Sequence, residues 1–215
     1  MPLNLAITGM HRSGTSLFAG LVAGAGIDLG ENLMPAGRGN RRGHFEDLAF
    51  VRFHEGFLNR RGVGSLSPPA AWSPVPTPAE ESEARSLVAR RSVKPVWGFK
   101  DPRTSLFLDF WDPLLPAPFY LFVFRHPVEV ALSLLRRGID LEVQLDPWTA
   151  IRAWTVYNSE LLRFRLVNPE RAALWHLSGA LASLPSVLGG LGDRLGLALV
   201  AAGDLYAPAD LRQGL

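Results

Sequence analysis

Short apolar runs along the chain predict the strands of a buried sheet. They occupy residues 3–8, 96–99, 119–124 and 172–177, and a further run at 197–201 is a candidate for a last strand. The run at 119–124, FYLFVF, is apolar or aromatic at every position. Such continuity is typical of a parallel strand that is covered on both faces.

Between these runs, apolar residues recur every three or four positions, which predicts amphipathic helices. Asp47 is a candidate cap for one of them, and Phe50, Phe53 and Phe57 would share its apolar face. The segment TPAE at 77–80 has the form of a capping box with proline at the first helical position. The predicted helices cover 16–25, 44–62, 78–91, 107–115, 127–137, a segment that begins at 146, and 184–195.

Strands that alternate with helices predict an α/β fold with an open, mostly parallel sheet. A chain of 215 residues is expected to form a single domain, residues 1–215. Two segments interrupt the pattern of strands and helices. Residues 30–43 are rich in glycine and charge, and residues 62–78 carry five prolines, so both segments are predicted to be irregular.

Composition and charge exclude several classes of protein. Lysine and arginine number 22 against 20 aspartate and glutamate, so the net charge of +2 gives no reason to expect a nucleic-acid partner. The chain has no cysteine, which excludes disulfides, thiolate metal ligands and cysteine nucleophiles. No signal sequence is visible at its start, and the longest apolar stretch, 116–124, is too short to span a bilayer. We therefore expect a soluble cytoplasmic protein.

The segment GMHRSGTS, residues 9–16, lies between the first predicted strand and the first predicted helix. Its glycines have the spacing of the phosphate-binding loop G-x-x-x-x-G-K-[ST], but Thr15 stands where the lysine would be. The backbone N–H groups of residues 13–16 and the guanidinium of Arg12 are suited to an anion at the positive end of the helix. A tight turn with an exposed Arg12 is the alternative interpretation.

Two more predicted strands also end in basic residues. KDPR, residues 100–103, follows the second strand, and RHP, residues 125–127, follows the third. Because the carboxyl ends of parallel strands share one edge of a sheet, these segments and the first loop predict an anion site there. Arg125 and Ser133 lie eight residues apart and can bracket a second phosphate. An amphipathic helix with an ordinary serine is the alternative.

The first loop and the Arg125 segment together resemble the sulfotransferases that use 3′-phosphoadenosine 5′-phosphosulfate (PAPS). In that family a basic-SGT[TS] loop holds the 5′-phosphosulfate, and an R-x₇-S segment holds the 3′-phosphate. GMHRSGTS, followed by GHFED, GFKDPR and FRHP, is similar to a bacterial branch of the family, with a match that extends to about residue 137. The resemblance implies a P-loop-like three-layer sandwich with helices on both faces of the sheet. The cofactor-binding residues that it implies are Arg12, Ser13, Gly14, Thr15, Ser16, Arg125 and Ser133.

The resemblance implies transfer of a sulfuryl group from PAPS to a hydroxyl or amine of a small-molecule, glycan, lipid or peptide acceptor. No metal is expected, since a sulfuryl donor carries less charge at the transferred group than ATP does. The run 119–124 is also followed by arginine rather than by a magnesium-binding aspartate. Arg12 and Lys100 are the candidates for the bridge between phosphate and sulfate. Lys100 stands out because the chain has only one other lysine against twenty arginines.

Glu46, in the acidic stretch FED, is the first candidate for the general base that deprotonates the acceptor. Asp101 is the second candidate and His44 the third, although an ion pair with Arg103 or Arg12 is the favoured role for Asp101. His54, His126 and His176 are expected to be structural. Two other functions stay open: a magnesium-dependent P-loop kinase or nucleotide hydrolase, and an inactive module that binds adenosine bisphosphate.

Overall fold

The computed structural model describes residues 3–37, 43–140 and 146–199. In this part of the chain, parallel pairing joins four strands into one sheet. The strands are β1 (Leu3–Thr8), β2 (Val96–Lys100), β3 (Pro118–Phe124) and β4 (Ala172–His176), in the order β2-β1-β3-β4. The predicted α/β fold with a parallel sheet is confirmed. Because β1 lies between β2 and β3, the segments that follow these three strands are neighbours.

Helices cover both faces of the sheet, as the sequence predicts. Asp47 accepts a hydrogen bond from the Ala49 N–H and begins the second helix, and Thr77 and Glu80 form the predicted capping box. The helices are α1 (Thr15–Gly24), α2 (Leu48–Arg60), α3 (Pro78–Arg91), α4 (Leu108–Trp111), α5 (Pro127–Asp140), α6 (Pro147–Val167), α7 (Leu177–Ala182) and α8 (Leu184–Leu195).

Several predicted element bounds are wrong. Residues 44–47 are not helical, because the cap at Asp47 sets the start of α2. Instead of one helix over 107–115, a 3₁₀ turn spans Pro102–Leu106 and α4 makes a single turn. Leu177 begins α7 rather than ending β4. No strand forms at 197–199, and the rest of the predicted last strand lies outside the described residues.

Alternation of side chains along the strands builds a separate apolar core on each face. Tyr120 and Phe122 of β3 belong to one core, with α2 to α6, whereas Leu121 and Val123 belong to the other, with α1, α7 and α8. Each fully buried side chain of this size contributes about 1.5–3 kcal/mol relative to an exposed one. Trp148, near the start of α6, lies outside both cores and is 70% exposed. The sheet between the two cores carries the loops at its carboxyl edge.

The proline-rich segment 62–77 contains neither helix nor strand, but side-chain hydrogen bonds tie it to the domain around it. Trp72 donates from Nε1 to the Leu106 carbonyl at 2.7 Å, and the Tyr157 hydroxyl donates to the Ser65 carbonyl at 2.9 Å.

Among the helices of the described ranges, none combines the length and the apolarity that crossing a bilayer requires.

Candidate active site

The two glycines of the first loop are required by its backbone. Gly14 has φ 94°, and a Cβ there would lie 2.5 Å from Cδ1 of Leu177. At Gly9, a Cβ would lie 2.0 Å from the carbonyl oxygen of Val123. Larger residues would therefore push the loop away from β3 and α7. Arg12 itself has φ 70°, a left-handed conformation that side-chain-bearing residues rarely adopt and that is typical of functional loops.

This loop offers hydrogen-bond donors to an anion at the N-terminus of α1. Within the described part of the chain, the N–H groups of Gly14 and Thr15 have no acceptor. The hydroxyl of Ser13 is buried and also has no partner there. The expectation for the Ser13 backbone is wrong, because its N–H already donates to the Met10 carbonyl at 3.1 Å. Orphaned donors at the positive end of a ten-residue helix suit a phosphate or sulfate oxygen.

The R-x₇-S segment meets the first loop directly. Arg12 donates from Nε to the hydroxyl of Ser133 at 2.9 Å, so the two predicted phosphate sites adjoin. Arg125 is 8% exposed and donates from Nε to the Glu129 carboxylate at 2.7 Å. Trp154 of α6 donates to the Arg125 carbonyl at 2.9 Å and fixes the strand end. These contacts place two arginines and a serine along one surface beside the loop.

Lys100 supplies from β2 the lysine that the first loop lacks. It is the last residue of the strand, and its side chain is 2% exposed. The ammonium donates to the Ser16 hydroxyl at 3.1 Å and to Oε1 of Glu46 at 2.5 Å. Burial lowers the pKa of Lys100 below its ordinary value, and the attraction of Glu46 opposes that shift only in part. The side-chain nitrogen of Lys100 therefore lies at the start of α1.

Glu46 lies between two cations. Its carboxylate is buried, with Oε1 facing Lys100 and Oε2 3.5 Å from Nη1 of Arg103. Arg103 also donates from Nη2 to Glu55 at 2.7 Å. Glu46 is positioned by its backbone, since the Met34 N–H donates to its carbonyl at 2.7 Å. A carboxylate in this position can accept a proton only when one of its cationic partners moves aside.

Asp101 is paired with Arg103 rather than open to the loop. Its Oδ1 accepts from the Arg103 side chain at 2.9 Å and from the Arg103 N–H at 2.8 Å. Although burial alone would raise it, the charge of Arg103 and the hydrogen bond from His54 hold the pKa of Asp101 well below its usual range. Both of its oxygens are engaged, which fits the structural role better than that of a base.

The structure thus brings together most of the predicted site residues at one edge of the sheet. The carbonyl of His44 accepts from the Ser16 hydroxyl at 3.4 Å, and Thr15 is buried at the start of α1. The sequence interpretation missed the environment of His54, which lies on the same helix face as Phe50 and Phe57 and binds Asp101. Its spacing from the two phenylalanines was the available signal.

In the part of the chain that the structure describes, no three His, Asp or Glu side chains are grouped as metal ligands.

The fold recurs in solved structures of sulfotransferase domains. The sulfotransferase domain from the Synechococcus PCC 7002 olefin synthase superposes with a TM-score of 0.61 at 20% identity, over 99% of this chain and 80% of that one. The chain has the sulfotransferase fold. This result confirms the predicted P-loop-like sandwich.

Two other sulfotransferase structures show the same likeness. The sulfotransferase domain from the curacin biosynthetic pathway gives a TM-score of 0.57 at 16% identity, over 100% of this chain and 78% of that one. Sulfotransferase STF9 from Mycobacterium avium gives 0.59 at 16% identity, over 98% and 67%. The sequence matches no protein-family model and no curated protein. At such identities the sulfotransferase likeness is one of fold, and residue roles must come from the chemistry of the site.

Proposed function

We propose that this chain is a sulfotransferase that moves a sulfuryl group from PAPS to a hydroxyl or amine of an acceptor. The observation that carries the proposal is the contact between Arg12 and Ser133, at 2.9 Å. It joins the helix N-terminus of the first loop to the R-x₇-S segment. A nucleotide with phosphates on both its 5′ and 3′ oxygens matches such a pair of adjoining anion sites.

The donor-binding residues divide between these two sites. The N–H groups of Gly14 and Thr15, the buried hydroxyl of Ser13 and the guanidinium of Arg12 suit the 5′-phosphosulfate. Arg125 suits the 3′-phosphate, because its Nη1 and Nη2 groups have no carboxylate partner within the described residues, whereas Nε binds Glu129. Ser133 lies between the two sites.

In the proposed transfer, the sulfur of PAPS forms a bond to the acceptor oxygen or nitrogen while its bond to the 5′-phosphate oxygen breaks. Arg12 and Lys100 neutralise the charge that develops on the leaving phosphate. When Lys100 turns toward that phosphate, Oε1 of Glu46 loses its partner and can take the acceptor proton. Arg103 keeps Oε2 in place during this change.

A magnesium-dependent kinase is the competing reading, because Lys100 restores a lysine near the loop. Such an enzyme needs a carboxylate that is open to the metal. Asp101, at the end of β2, has both oxygens engaged by Arg103 and His54. The site therefore favours the metal-independent reaction, with a small-molecule, glycan, lipid or peptide hydroxyl as acceptor.

Calorimetric titration separates the two functions. Adenosine 3′,5′-bisphosphate is titrated in the presence of a chelator, beside ATP with Mg²⁺. We expect the bisphosphate to bind without metal and the Arg125→Ala variant to bind at least about tenfold more weakly, since a charged hydrogen bond is lost. Arg152→Ala removes an exposed arginine of α6 and should leave affinity unchanged. Binding of ATP with Mg²⁺ alone would overturn the proposal.

A further inference from the structure

His54 of α2 is buried at the centre of a chain of polar contacts. His54, Asp101 and Trp111 are each 0% exposed. The imidazole packs among aromatic rings whose centroids lie between 5.0 and 5.7 Å from its own, those of Phe53, Phe107 and Trp111. In such surroundings both ring nitrogens need hydrogen-bond partners, because an unpaired buried nitrogen is costly.

Two hydrogen bonds fix the ring proton of His54. The indole Nε1–H of Trp111 can only donate, and it lies 2.8 Å from His54 Nε2. Nε2 is therefore the acceptor nitrogen, which places the proton on Nδ1. That Nδ1–H donates to Oδ2 of Asp101 at 3.0 Å. The geometry thus holds a single tautomer with its proton aimed at Asp101.

From Asp101 the polar contacts continue to the candidate base. Oδ1 of Asp101 accepts from Nη1 of Arg103 at 2.9 Å, and the same Nη1 lies 3.5 Å from Oε2 of Glu46. Oε1 of Glu46 accepts from Lys100 at 2.5 Å. The imidazole of His54 is therefore linked to the ammonium of Lys100 through three intervening residues.

We propose that His54 is a positioning residue for sulfuryl transfer. Its hydrogen bond orients the Asp101 carboxylate toward Arg103, and Arg103 in turn holds Oε2 of Glu46. The other oxygen of Glu46 is thereby presented to Lys100 and, when Lys100 turns to the donor, to the acceptor proton. This inference rests on the proposed function for its meaning in catalysis, but the contacts themselves can be tested without turnover.

A matched pair of amide substitutions isolates the contact with Asp101. In His54→Asn the amide nitrogen replaces Nδ1, whereas in His54→Gln the longer side chain carries the amide to the position of Nε2. Each variant replaces the ring by one amide and keeps only one of its two hydrogen-bond positions. Only the asparagine variant keeps a donor for Asp101.

The chain offers a direct readout because it contains only two lysines, Lys94 and Lys100. Lysine labelled with ¹⁵N and ¹³C gives two side-chain signals, which a Lys94→Arg variant assigns. Lys94 binds Asp28 and serves as an internal reference. We expect the Lys100 signal to keep its position in His54→Asn and to move in His54→Gln, with the Lys94 signal constant in both.

Bisphosphate affinity supplies the second readout. We expect His54→Gln to weaken binding by about 2- to 30-fold, the range for changes that act through a packed network, and His54→Asn to retain most of the affinity. In the unmodified protein, ¹⁵N shifts of labelled histidine should place the His54 proton on Nδ1. That measurement needs no variant, so it holds even where a substitution prevents folding.

Three results would overturn the inference: the proton on Nε2, equal effects of the two substitutions on Lys100, or equal effects on affinity. Failure of the unmodified protein to bind the bisphosphate would instead overturn the proposed function. In that case the Lys100 and His54 signals would still decide whether His54 orders this chain of contacts.

Discussion

Arg12 of the first loop donates from Nε to the hydroxyl of Ser133 on α5, although 121 positions of sequence separate them. The resemblance to PAPS-dependent enzymes assigns these two residues to different phosphates of one nucleotide. In the structure the two side chains are in contact, so the two proposed phosphate sites would adjoin. The Ser133 hydroxyl can accept from Arg12 and at the same time donate to a phosphate oxygen, so the two proposed sites should not bind independently.

Ser133→Ala tests this surface. The substitution removes a donor to the 3′-phosphate and the partner of Arg12, so we expect bisphosphate affinity to fall about tenfold or more. Binding of adenosine 5′-monophosphate should change much less. Calorimetry with both nucleotides measures the difference, and Ser159→Ala, at an exposed position of α6, is the control. Equal losses for the two nucleotides would place Ser133 outside the 3′ site.

Glu129 is expected to limit the affinity of the proposed 3′-phosphate site. Its carboxylate, 38% exposed, holds Nε of Arg125 at 2.7 Å and places a negative charge where the phosphate must approach. We expect Glu129→Gln to tighten bisphosphate binding by about two- to fivefold, the value of a partly exposed ion pair. The effect should shrink in high salt. Glu160→Gln removes a comparable carboxylate that pairs with Arg163 on α6. Weaker binding after Glu129→Gln would show that the carboxylate orients Arg125 instead.

Glu46→Gln separates proton transfer from donor binding. The amide keeps the size of the side chain but cannot accept the acceptor proton, so turnover should fall at least about 100-fold. Bisphosphate affinity should change much less than turnover does. Glu55→Gln is the matched control, because Glu55 binds the same Arg103 at 2.7 Å but is 52% exposed. Full turnover by the Glu46 variant would show that another residue is the general base.

Glu80 is expected to make the free energy of unfolding depend on pH in the acid range. Hydrogen bonds from Arg61, together with the capping contact to Thr77, lower its pKa from 4.5 to about 2 against the effect of burial. Because the folded pKa lies below the unfolded one, this stabilisation is fully present above about pH 4.5 and is lost as the pH falls toward 2. We expect Glu80→Gln to lower the free energy of unfolding by roughly 2–3 kcal/mol at neutral pH.

Denaturant titrations between pH 2 and 7 check the Glu80 prediction. Glu83→Gln, at an exposed position of the same helix, should leave the curve of the unmodified protein unchanged. If the Glu80→Gln variant lost as much stability as the unmodified protein when the pH falls from about 4.5 to 2, Glu80 would not be the source of the pH dependence.

Local signals account for what the sequence predicts about the fold. FYLFVF at 119–124 is apolar or aromatic throughout, which is typical of a strand covered on both faces, and TPAE at 77–80 encodes its own cap. The wrong bounds lie where tertiary contacts decide. The 3₁₀ turn at 102–106 forms because Asp101 caps it and Thr8 binds Ser105, at 2.8 Å, from another strand.

The residue types of the site were visible in the sequence, but their contacts were not. The spacing of GMHRSGTS cannot show that Lys100 reaches Ser16, because this depends on β2 lying beside β1. The pairing of Glu46 with Lys100 likewise depends on where the segment before α2 lies relative to the end of β2. His54 could have been found, since a histidine four residues after Phe50 and three before Phe57 must share their buried face.

The transfer of a labelled sulfuryl group from PAPS in the presence of a chelator tests the central claim most directly. The acceptors are a phenol, a sugar, an amine and water alone. We expect the sulfur label to leave the donor in the absence of metal. The rate of transfer should be at least about 100-fold lower in Lys100→Met, whereas Lys94→Met should keep full turnover. If the protein binds the bisphosphate yet the label stays on the donor with every acceptor, the chain is a binding module and the account of sulfuryl transfer is wrong.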